Sequence, residues 1–274
     1  MQAVALTIAG SDPSGGAGIQ ADLKTFHHFG VYGEAAITLV TVQNTEQVSR
    51  VEILPADLVT EQVNAVVCDI PPAAAKTGAL GSIEIVDAVA TLAKSFPFPL
   101  VVDPVMITKH GTRLISREAE EVLKTKLLPC AFLVTPNIPE AEVLTGMNIR
   151  SEDDMHKAAE RLRDLGCKAA LIKGGHRSGD AVDILSAPDM PKRFSTQRVA
   201  TRHTHGTGCT YAAAITAGLA LGNPLYEAIR ISKQFLQSAI ESAPGLGRGQ
   251  GPVNHFACVA GLAMPLRYKV RDGP

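Results

Sequence analysis

Short apolar segments alternate with amphipathic segments along most of the chain. The first apolar run, residues 3–9, is followed at 10–18 by a segment made almost entirely of Gly, Ser, Asp and Pro. Such a composition predicts a buried strand and then a tight loop. Apolar residues next recur at roughly helical spacing from Ile19 to Phe29, and Gly30 occupies the position where helices commonly end.

The same alternation continues through the rest of the chain. It predicts helices at 57–68, 82–94, 116–128, 139–144, 151–165, 209–221 and 226–243, and strands at 36–42, 74–77, 100–102, 131–134 and 168–172. The β-branched run 36–42 is continuous, which is typical of a strand buried on both faces. Segments 181–186 and 192–199 predict a hairpin around Pro188 and Pro191. Alternating strands and helices indicate an α/β fold with a mostly parallel sheet, whose ligands bind beyond the carboxyl ends of the strands.

Composition narrows the class of protein. With 46% hydrophobic and 19% charged residues, the 274-residue chain is expected to form one globular domain, with the order of the tail from about 257 to 274 left open. A net charge of -1 argues against a nucleic acid or an anionic membrane as partner. Five scattered cysteines without CxxC spacing, and no apolar run long enough to span a membrane, predict a cytoplasmic protein.

No Walker A sequence is present, so a nucleotide here would be held in another way. The glycines at 15, 16 and 18 follow the first predicted strand, but they lack the GxGxxG spacing of a dinucleotide fingerprint. They suit a loop beside a small polar substrate, or a turn that only allows close helix packing.

The segment HGTGCT at 205–210 is more specific. Two glycines, Gly206 and Gly208, precede an Ala-rich helix, so successive backbone N–H groups can bind an anion at the positive end of the helix dipole. The same dipole favours the thiolate of Cys209, which could then act on a proton beside a bound phosphate. A small buried structural cysteine is the alternative.

Charged residues follow three of the predicted strands. Asp103 and Glu140 are carboxylates of the kind that hold Mg²⁺ with nucleotide phosphates, and Lys173 is a cation beside two glycines. The alternatives are a loop cap for Asp103, an exposed helix charge for Glu140 and a solvated Lys173.

Seven segments, in order, carry a resemblance to a known family. These are TIAGSDPSGGAGIQADLKTF, VQNT, VVDPVM, TPNIPEAEVL, IKGGH, HGTGCT and GQGPVNHF. Together they closely resemble the hydroxymethylpyrimidine and phosphomethylpyrimidine kinases of thiamin biosynthesis, in the ribokinase superfamily. The resemblance covers about residues 3–256.

The resemblance implies a ribokinase-like three-layer α/β/α sandwich, a homodimer, and transfer of a phosphoryl group from ATP with Mg²⁺ to a hydroxymethylpyrimidine and then to its monophosphate. It also implies roles for individual residues. The anion hole and catalytic position of the family are matched by Gly206, Thr207, Gly208 and Cys209. Its substrate wall is matched by Gln43, Gly10, Asp12, Val105, Met106 and Ala79. The ATP site is matched by Lys173, Asn137 and Thr207, and the metal site by Asp103 and Glu140.

Two other functions compete with this one. A pyridoxal kinase of the same fold would act on another flat heterocycle that carries a hydroxymethyl group. A non-enzymatic ligand sensor is disfavoured because the anion hole, cation, carboxylates and Cys209 are all present. A dinucleotide-dependent dehydrogenase is excluded by the broken fingerprint.

Overall fold

The computed structural model describes residues 2–107, 111, 113–175, 179–188 and 192–258. The strands are β1 (Val4–Ser11), β2 (Tyr32–Gln43), β3 (Val48–Ile53), β4 (Ala74–Thr77), β5 (Leu100–Val102), β6 (Leu133–Val134), β7 (Ala169–Lys173), β8 (Ala181–Ser186) and β9 (Lys192–Thr196). The helices are α1 (Gly18–His28), α2 (Ala56–Asp69), α3 (Ile83–Ala93), α4 (Arg117–Val122), α5 (Ile138–Thr145), α6 (Glu152–Asp164), α7 (Thr207–Ala220) and α8 (Leu225–Glu241).

The strands form one sheet in the order β3-β2-β1-β4-β5-β6-β7-β8-β9. The six strands from β2 to β7 in this order pair in parallel, whereas β3, β8 and β9 join by antiparallel pairing. The predicted parallel strands and the predicted hairpin of β8 and β9 are therefore confirmed. Parallel strands need crossover connections, and helices supply them here.

Helices cover both faces of the sheet, as the alternation of strand side chains requires. On β5, Leu100 and Val102 pack in the apolar cluster formed with α2 to α6, while Val101 packs with α7 and α8 on the opposite face. Phe26 of α1 joins residues of α7 and α8 on that opposite side. The three-layer α/β/α sandwich is thus the observed architecture.

Local sequence signals explain where several helices begin and end. The Ser151 side chain accepts from the Asp154 N–H, and the Asp154 carboxylate accepts from the Ser151 N–H, which is the capping box that starts α6. Gly30 follows α1 with φ +70°, a conformation that glycine adopts without steric cost.

The sequence-based prediction was wrong at the β2 edge. β2 is twelve residues long rather than seven, and Gln43 is its last residue instead of lying just beyond it. The strand is not buried on both faces, since Val40 and Val42 are 42% and 55% exposed. The exposed neighbour β3 was missed because polar residues interrupt its apolar pattern, so the turn after Gln43 joins a hairpin.

The helix predicted at 116–128 is also interrupted. α4 ends at Val122, and a π-helical turn (Leu123–Leu127) and a 3₁₀ turn (Leu128–Cys130) follow. Pro129 lies in the second turn and has no N–H to donate, which prevents a regular helix from continuing. Pro191 of the β8–β9 turn and most of the tail, residues 259–274, lie outside the described residues.

Candidate active site

A cavity of about 850 Å³ lies at the carboxyl ends of the parallel strands. Its walls include Gly10 after β1, Gln43 at the end of β2, Ala79 after β4, Asp103 after β5 and Lys173 at the end of β7. This is the edge at which ligands of open parallel sheets bind. The residues expected to cluster beyond the strands therefore meet in one cavity.

The first turn of α7 forms one wall of this cavity. Gly206 precedes the helix with φ +77°, and a Cβ there would come within 1.7 Å of the Gly16 carbonyl oxygen, so only glycine fits. Thr210 N–H donates the first helical bond, to Gly206 O, and the N–H groups of the preceding first turn therefore lie at the positive end of the dipole. A Cβ at Gly208 would face Lys173 Nζ at 3.4 Å, which places a cation beside these amides.

Lys173 pairs with acidic neighbours and is not the solvent-exposed lysine that the sequence left open. Its Nζ lies 2.9 Å from Asp103 Oδ1, and only 14% of its side chain is exposed. Thr135 Oγ1 donates to the same Asp103 oxygen at 3.1 Å. Burial alone would lower the pKa of Lys173, but the charges of Asp103 and Glu140 raise it above its ordinary value. Lys173 therefore remains a cation within the cavity.

Glu140 is buried and forms part of the start of α5. The Asn137 side chain accepts from the Glu140 N–H, and Glu140 Oε2 accepts from the Asn137 N–H at 2.8 Å. Glu140 takes part in this capping box and is only 8% exposed, so it is not the exposed helix charge that the sequence left open as an alternative. Burial raises the pKa of Glu140 to about 7, although Lys173 opposes the rise.

The carboxylates fit Mg²⁺ bound together with phosphate. Both Lys173 and Thr135 act on Asp103 Oδ1, whereas Oδ2 would lie 3.8 Å from a Cβ at Gly208, toward the α7 amides. Among the described residues there is no group of three or more His, Cys, Asp or Glu side chains able to hold a metal. Mg²⁺ commonly takes one or two carboxylates and completes its shell with water and phosphate oxygens, which suits this pair.

Cys209 lies in the first turn of α7, as expected, but its expected thiolate is contradicted. The side chain borders the cavity and is otherwise closely surrounded by protein. Burial raises the pKa of the Cys209 thiol to about 12, against the opposing charge of Lys76 and with Asp22 and Asp103 adding to the rise. The raised pKa favours the neutral thiol over the thiolate.

A buried ion pair lies behind Cys209. Lys76 Nζ of β4 is 2.8 Å from Asp22 Oδ2 of α1, and both side chains are fully buried. Thr7 Oγ1 donates to the same Asp22 oxygen at 2.6 Å. The pair joins the central strands to α1 and contributes a positive charge near the thiol.

Polar groups at the other end of the cavity surround Gln43. Its terminal amide lies 3.2 Å from His205 Nε2 and 3.3 Å from Thr41 Oγ1. Gly10, Asp12, Ala79 and Val105 also border this cavity. This end can therefore bind a flat polar ring, while the end near Lys173 can bind phosphates.

Comparison with known proteins agrees with this geometry. The family model described as phosphomethylpyrimidine kinase matches residues 12–254. The chain belongs to the phosphomethylpyrimidine kinase family. A hydroxymethylpyrimidine/phosphomethylpyrimidine kinase of Bacillus subtilis is 46% identical over 92% of this chain and 94% of its own length. The thiamine biosynthesis bifunctional protein ThiED of Geobacter sulfurreducens is 51% identical over 92% of this chain, which spans about half, 52%, of that longer protein.

Solved structures of this family and of pyridoxal kinases share the fold. The phosphomethylpyrimidine kinase of Clostridium difficile is 46% identical, with a TM-score of 0.79 over 87% of this chain and 100% of that one. A pyridoxal kinase from Staphylococcus aureus, in complex with AMP-PCP and pyridoxal, is 37% identical, with a TM-score of 0.86 over 94% of this chain and 95% of that one.

One residue assigned to the substrate wall from the family resemblance is misplaced. Met106 is only 2% exposed and packs in the apolar core on the α2 to α6 face, and it is absent from the cavity lining. Val105 borders the cavity instead, while the Met106 side chain is directed into the core. Met106 supports the site from behind through its backbone N–H, which donates to Glu140.

Sequence reasoning about this kinase family missed His205 and Thr41. His205 Nε2 lies 2.7 Å from Asp12 Oδ2, although the two residues are 193 positions apart. Its position at the start of HGTGCT was the available signal, but the glycines of that segment already account for an anion-binding turn without a role for the histidine. Thr41 gave no signal, because it reads as an ordinary strand residue.

Proposed function

We propose that this chain transfers the γ-phosphoryl group of ATP to the hydroxymethyl oxygen of 4-amino-5-hydroxymethyl-2-methylpyrimidine, and then phosphorylates the resulting monophosphate to the pyrophosphate. One observation carries the proposal: a single cavity joins an anion-binding helix start and Lys173 to a polar recess around Gln43. The names of the relatives support the same activity. In this account the reaction serves thiamin biosynthesis.

ATP would lie with its phosphates on the α7 amides. Gly206, Thr207, Gly208 and the Cys209 N–H would bind phosphate oxygens, and Lys173 would neutralise charge that develops during transfer. Asn137 borders the same region. The complex of AMP-PCP with the Staphylococcus aureus pyridoxal kinase supports a nucleotide in a fold of this kind.

Asp103 and Glu140 would hold Mg²⁺, directly or through water. The bound ion would neutralise phosphate charge in the transition state. Glu140 must give up its proton to serve the ion, because its pKa of about 7 leaves it partly protonated near neutrality. Lys173, held on the opposite side of Asp103, keeps that carboxylate oriented.

Cys209 would position the substrate hydroxyl. A neutral thiol cannot take the hydroxyl proton at the outset, but phosphoryl transfer depends on positioning and charge neutralisation more than on an early base. The thiol would therefore orient the attacking oxygen, and the hydroxyl proton would pass to an oxygen of the transferred phosphoryl group once transfer has begun.

We further propose that the chain works as one kinase domain, as a homodimer, in the cytoplasm. Continuity of one sheet from β3 to β9 supports the single domain. Val40 and Val42 are exposed on one face of the β2–β3 hairpin, an apolar patch that a second copy would cover. Five free cysteines support a reducing compartment. No helix within the described residues is long and apolar enough to cross a bilayer. Light scattering of the wild type and of Val42→Glu tests the dimer.

Pyridoxal is the second candidate substrate, favoured by the shared fold of the 37% identical pyridoxal kinases. Phosphorus NMR of the reaction with Mg-ATP tests the main proposal. We expect the monophosphate signal to appear first and the pyrophosphate signal to follow. Lys173→Met serves as the control for phosphate transfer by contaminating enzymes. A time course that produces pyridoxal phosphate but neither pyrimidine product would overturn the proposal.

A further inference from the structure

The Asp12 carboxylate accepts hydrogen bonds from the glycine-rich loop that follows it. Its Oδ1 accepts from Ser14 N at 2.9 Å and Ser14 Oγ at 2.7 Å, and its Oδ2 accepts from Ala17 N at 2.9 Å and Gly16 N at 3.2 Å. Burial alone would raise the pKa of Asp12, but hydrogen bonds with His205 and Ser14 lower it below its ordinary value. Asp12 is therefore an ionised acceptor.

The ionised Asp12 decides which nitrogen of His205 carries the proton. His205 Nε2 lies 2.7 Å from Asp12 Oδ2. A carboxylate can only accept, so Nε2 must be protonated and act as the donor. The backbone keeps the ring in place, because His205 N–H donates to Gly251 O at 3.0 Å and Val253 N–H donates to His205 O at 3.4 Å.

The Nε2–H group of His205 in turn selects the orientation of Gln43. Gln43 Nε2 lies 3.2 Å from His205 Nε2 in the recorded orientation of the amide, so two donors face each other. A half-turn of the terminal amide exchanges Oε1 and Nε2 in place and removes this clash. The amide oxygen then lies beside the Nε2–H, whose single hydrogen is donated chiefly to Asp12 Oδ2 at 2.7 Å.

Thr41 favours the same orientation from the other side of the amide. Its hydroxyl lies 3.0 Å from Ser11 O and 3.3 Å from Gln43. The single hydroxyl hydrogen goes to the closer Ser11 carbonyl, so Thr41 Oγ1 is left to accept from the Gln43 NH₂ group. Only when the amide oxygen faces His205 does Gln43 avoid a donor–donor contact there and also donate to Thr41.

We propose that His205, held by Asp12, is a positioning residue that locks the Gln43 amide and so determines which edge of a heterocycle the pocket accepts. This inference rests on the proposed function. With its oxygen turned toward His205 and one N–H donated to Thr41, Gln43 presents an acceptor on the His205 side and a donor on the Thr41 side.

The locked amide matches an aminopyrimidine and opposes its oxo analogue. The 4-amino group donates to the acceptor near His205, while the adjacent ring nitrogen accepts from the donor near Thr41. In the 4-oxo analogue the exocyclic oxygen is an acceptor and the ring N–H is a donor, so both contacts are reversed. Sites built to hydrogen-bond a ligand reject such a mismatch strongly, because buried polar groups are left unpaired.

The experiment measures dissociation constants of the amino and oxo compounds by calorimetry, with a non-hydrolysable ATP analogue present. We expect the wild type to prefer the amino compound by roughly a hundredfold or more. In His205→Leu the amide can rotate, and this ratio should fall at least about tenfold. His205→Gln, whose amide N–H can replace Nε2–H toward Asp12, should keep most of it. The ratio does not depend on the fraction of folded protein.

Two further variants keep the test decisive. Thr41→Val removes the other partner with little change of shape, and the ratio should fall in the same direction even if His205→Leu does not fold. In Gln43→Ala the preference should disappear. If Gln43→Ala keeps the wild-type ratio, Gln43 does not recognise the ring, and the proposed substrate role fails with the inference. If Gln43→Ala loses it while Thr41→Val and every folded His205 variant keep it, the positioning role is wrong and the proposed function stands.

Discussion

Cys209→Ala tests whether the thiol acts as a resting base or as a positioning group. With its pKa raised to about 12, the thiol is ionised in roughly one molecule in 30,000 at about pH 7.5. If transfer required that thiolate, kcat/KM would rise about tenfold for each unit of pH well below the pKa. A thiol that only positions the hydroxyl gives no such rise.

The assay is ADP release at saturating Mg-ATP with limiting pyrimidine, between about pH 7.5 and about pH 9.5. We expect a nearly flat wild-type profile and a loss of roughly a hundredfold or more in Cys209→Ala, because the attacking oxygen loses its partner. Cys209→Ser, which keeps a small polar group, should recover part of the loss.

Cys167→Ala is the matched control. Burial also raises the pKa of Cys167 to about 12, but this residue packs in the core and does not line the cavity. It should keep wild-type turnover once its stability is accounted for. A wild-type rate that climbs tenfold per pH unit, and that loses this slope in Cys209→Ala, would refute the positioning role and restore the base.

Three other perturbations follow from the site. Lys173→Met should lower turnover by roughly a hundredfold to a thousandfold and weaken ATP, with pyrimidine affinity near wild type; calorimetry that shows the reverse pattern would contradict its phosphate role. Lys76→Met leaves Asp22 buried without its cation and should lower the free energy of unfolding in urea by about 3–5 kcal/mol. The double variant Lys76→Met/Asp22→Leu should recover most of that loss, and simply additive losses would refute the coupling of the two charges. The raised pKa of Glu140, about 7 against 4.5 for the free group, means that its stabilising contribution is present below about pH 4 and lost as pH rises through 7. The Tm of Glu140→Gln minus that of the metal-free wild type should therefore increase from about pH 5 to about pH 8. A constant Tm difference would show that ionisation of Glu140 does not destabilise the fold.

Local signals predicted much of the fold. Ser151 and Asp154 start α6 through contacts three residues apart, and Gly30 ends α1 through its own backbone freedom. These features depend on near neighbours, so the sequence contains them directly. The β3 strand was missed because its polar face is solvated and leaves no clear period in the chain.

The chemistry of the site depends on distant partners instead. The pKa of Cys209 depends on burial and on the charges of Lys76, Asp22 and Asp103. These residues are distant in the chain, so they could not enter a prediction based on the start of α7 alone. Pairing of His205 with Asp12 joins residues 193 positions apart. Met106 stands next to a true wall residue, and only the backbone path distinguishes the two side chains.

The most direct test of the proposed activity compares kcat/KM for 4-amino-5-hydroxymethyl-2-methylpyrimidine, for its monophosphate and for pyridoxal, in one preparation of the protein with Mg-ATP. We expect turnover of both pyrimidine compounds, with pyridoxal used at least about tenfold less efficiently, because its ring edge lacks the amine and ring-nitrogen pair that Gln43 would bind. Efficient phosphorylation of pyridoxal together with failure to phosphorylate either pyrimidine compound would contradict the account.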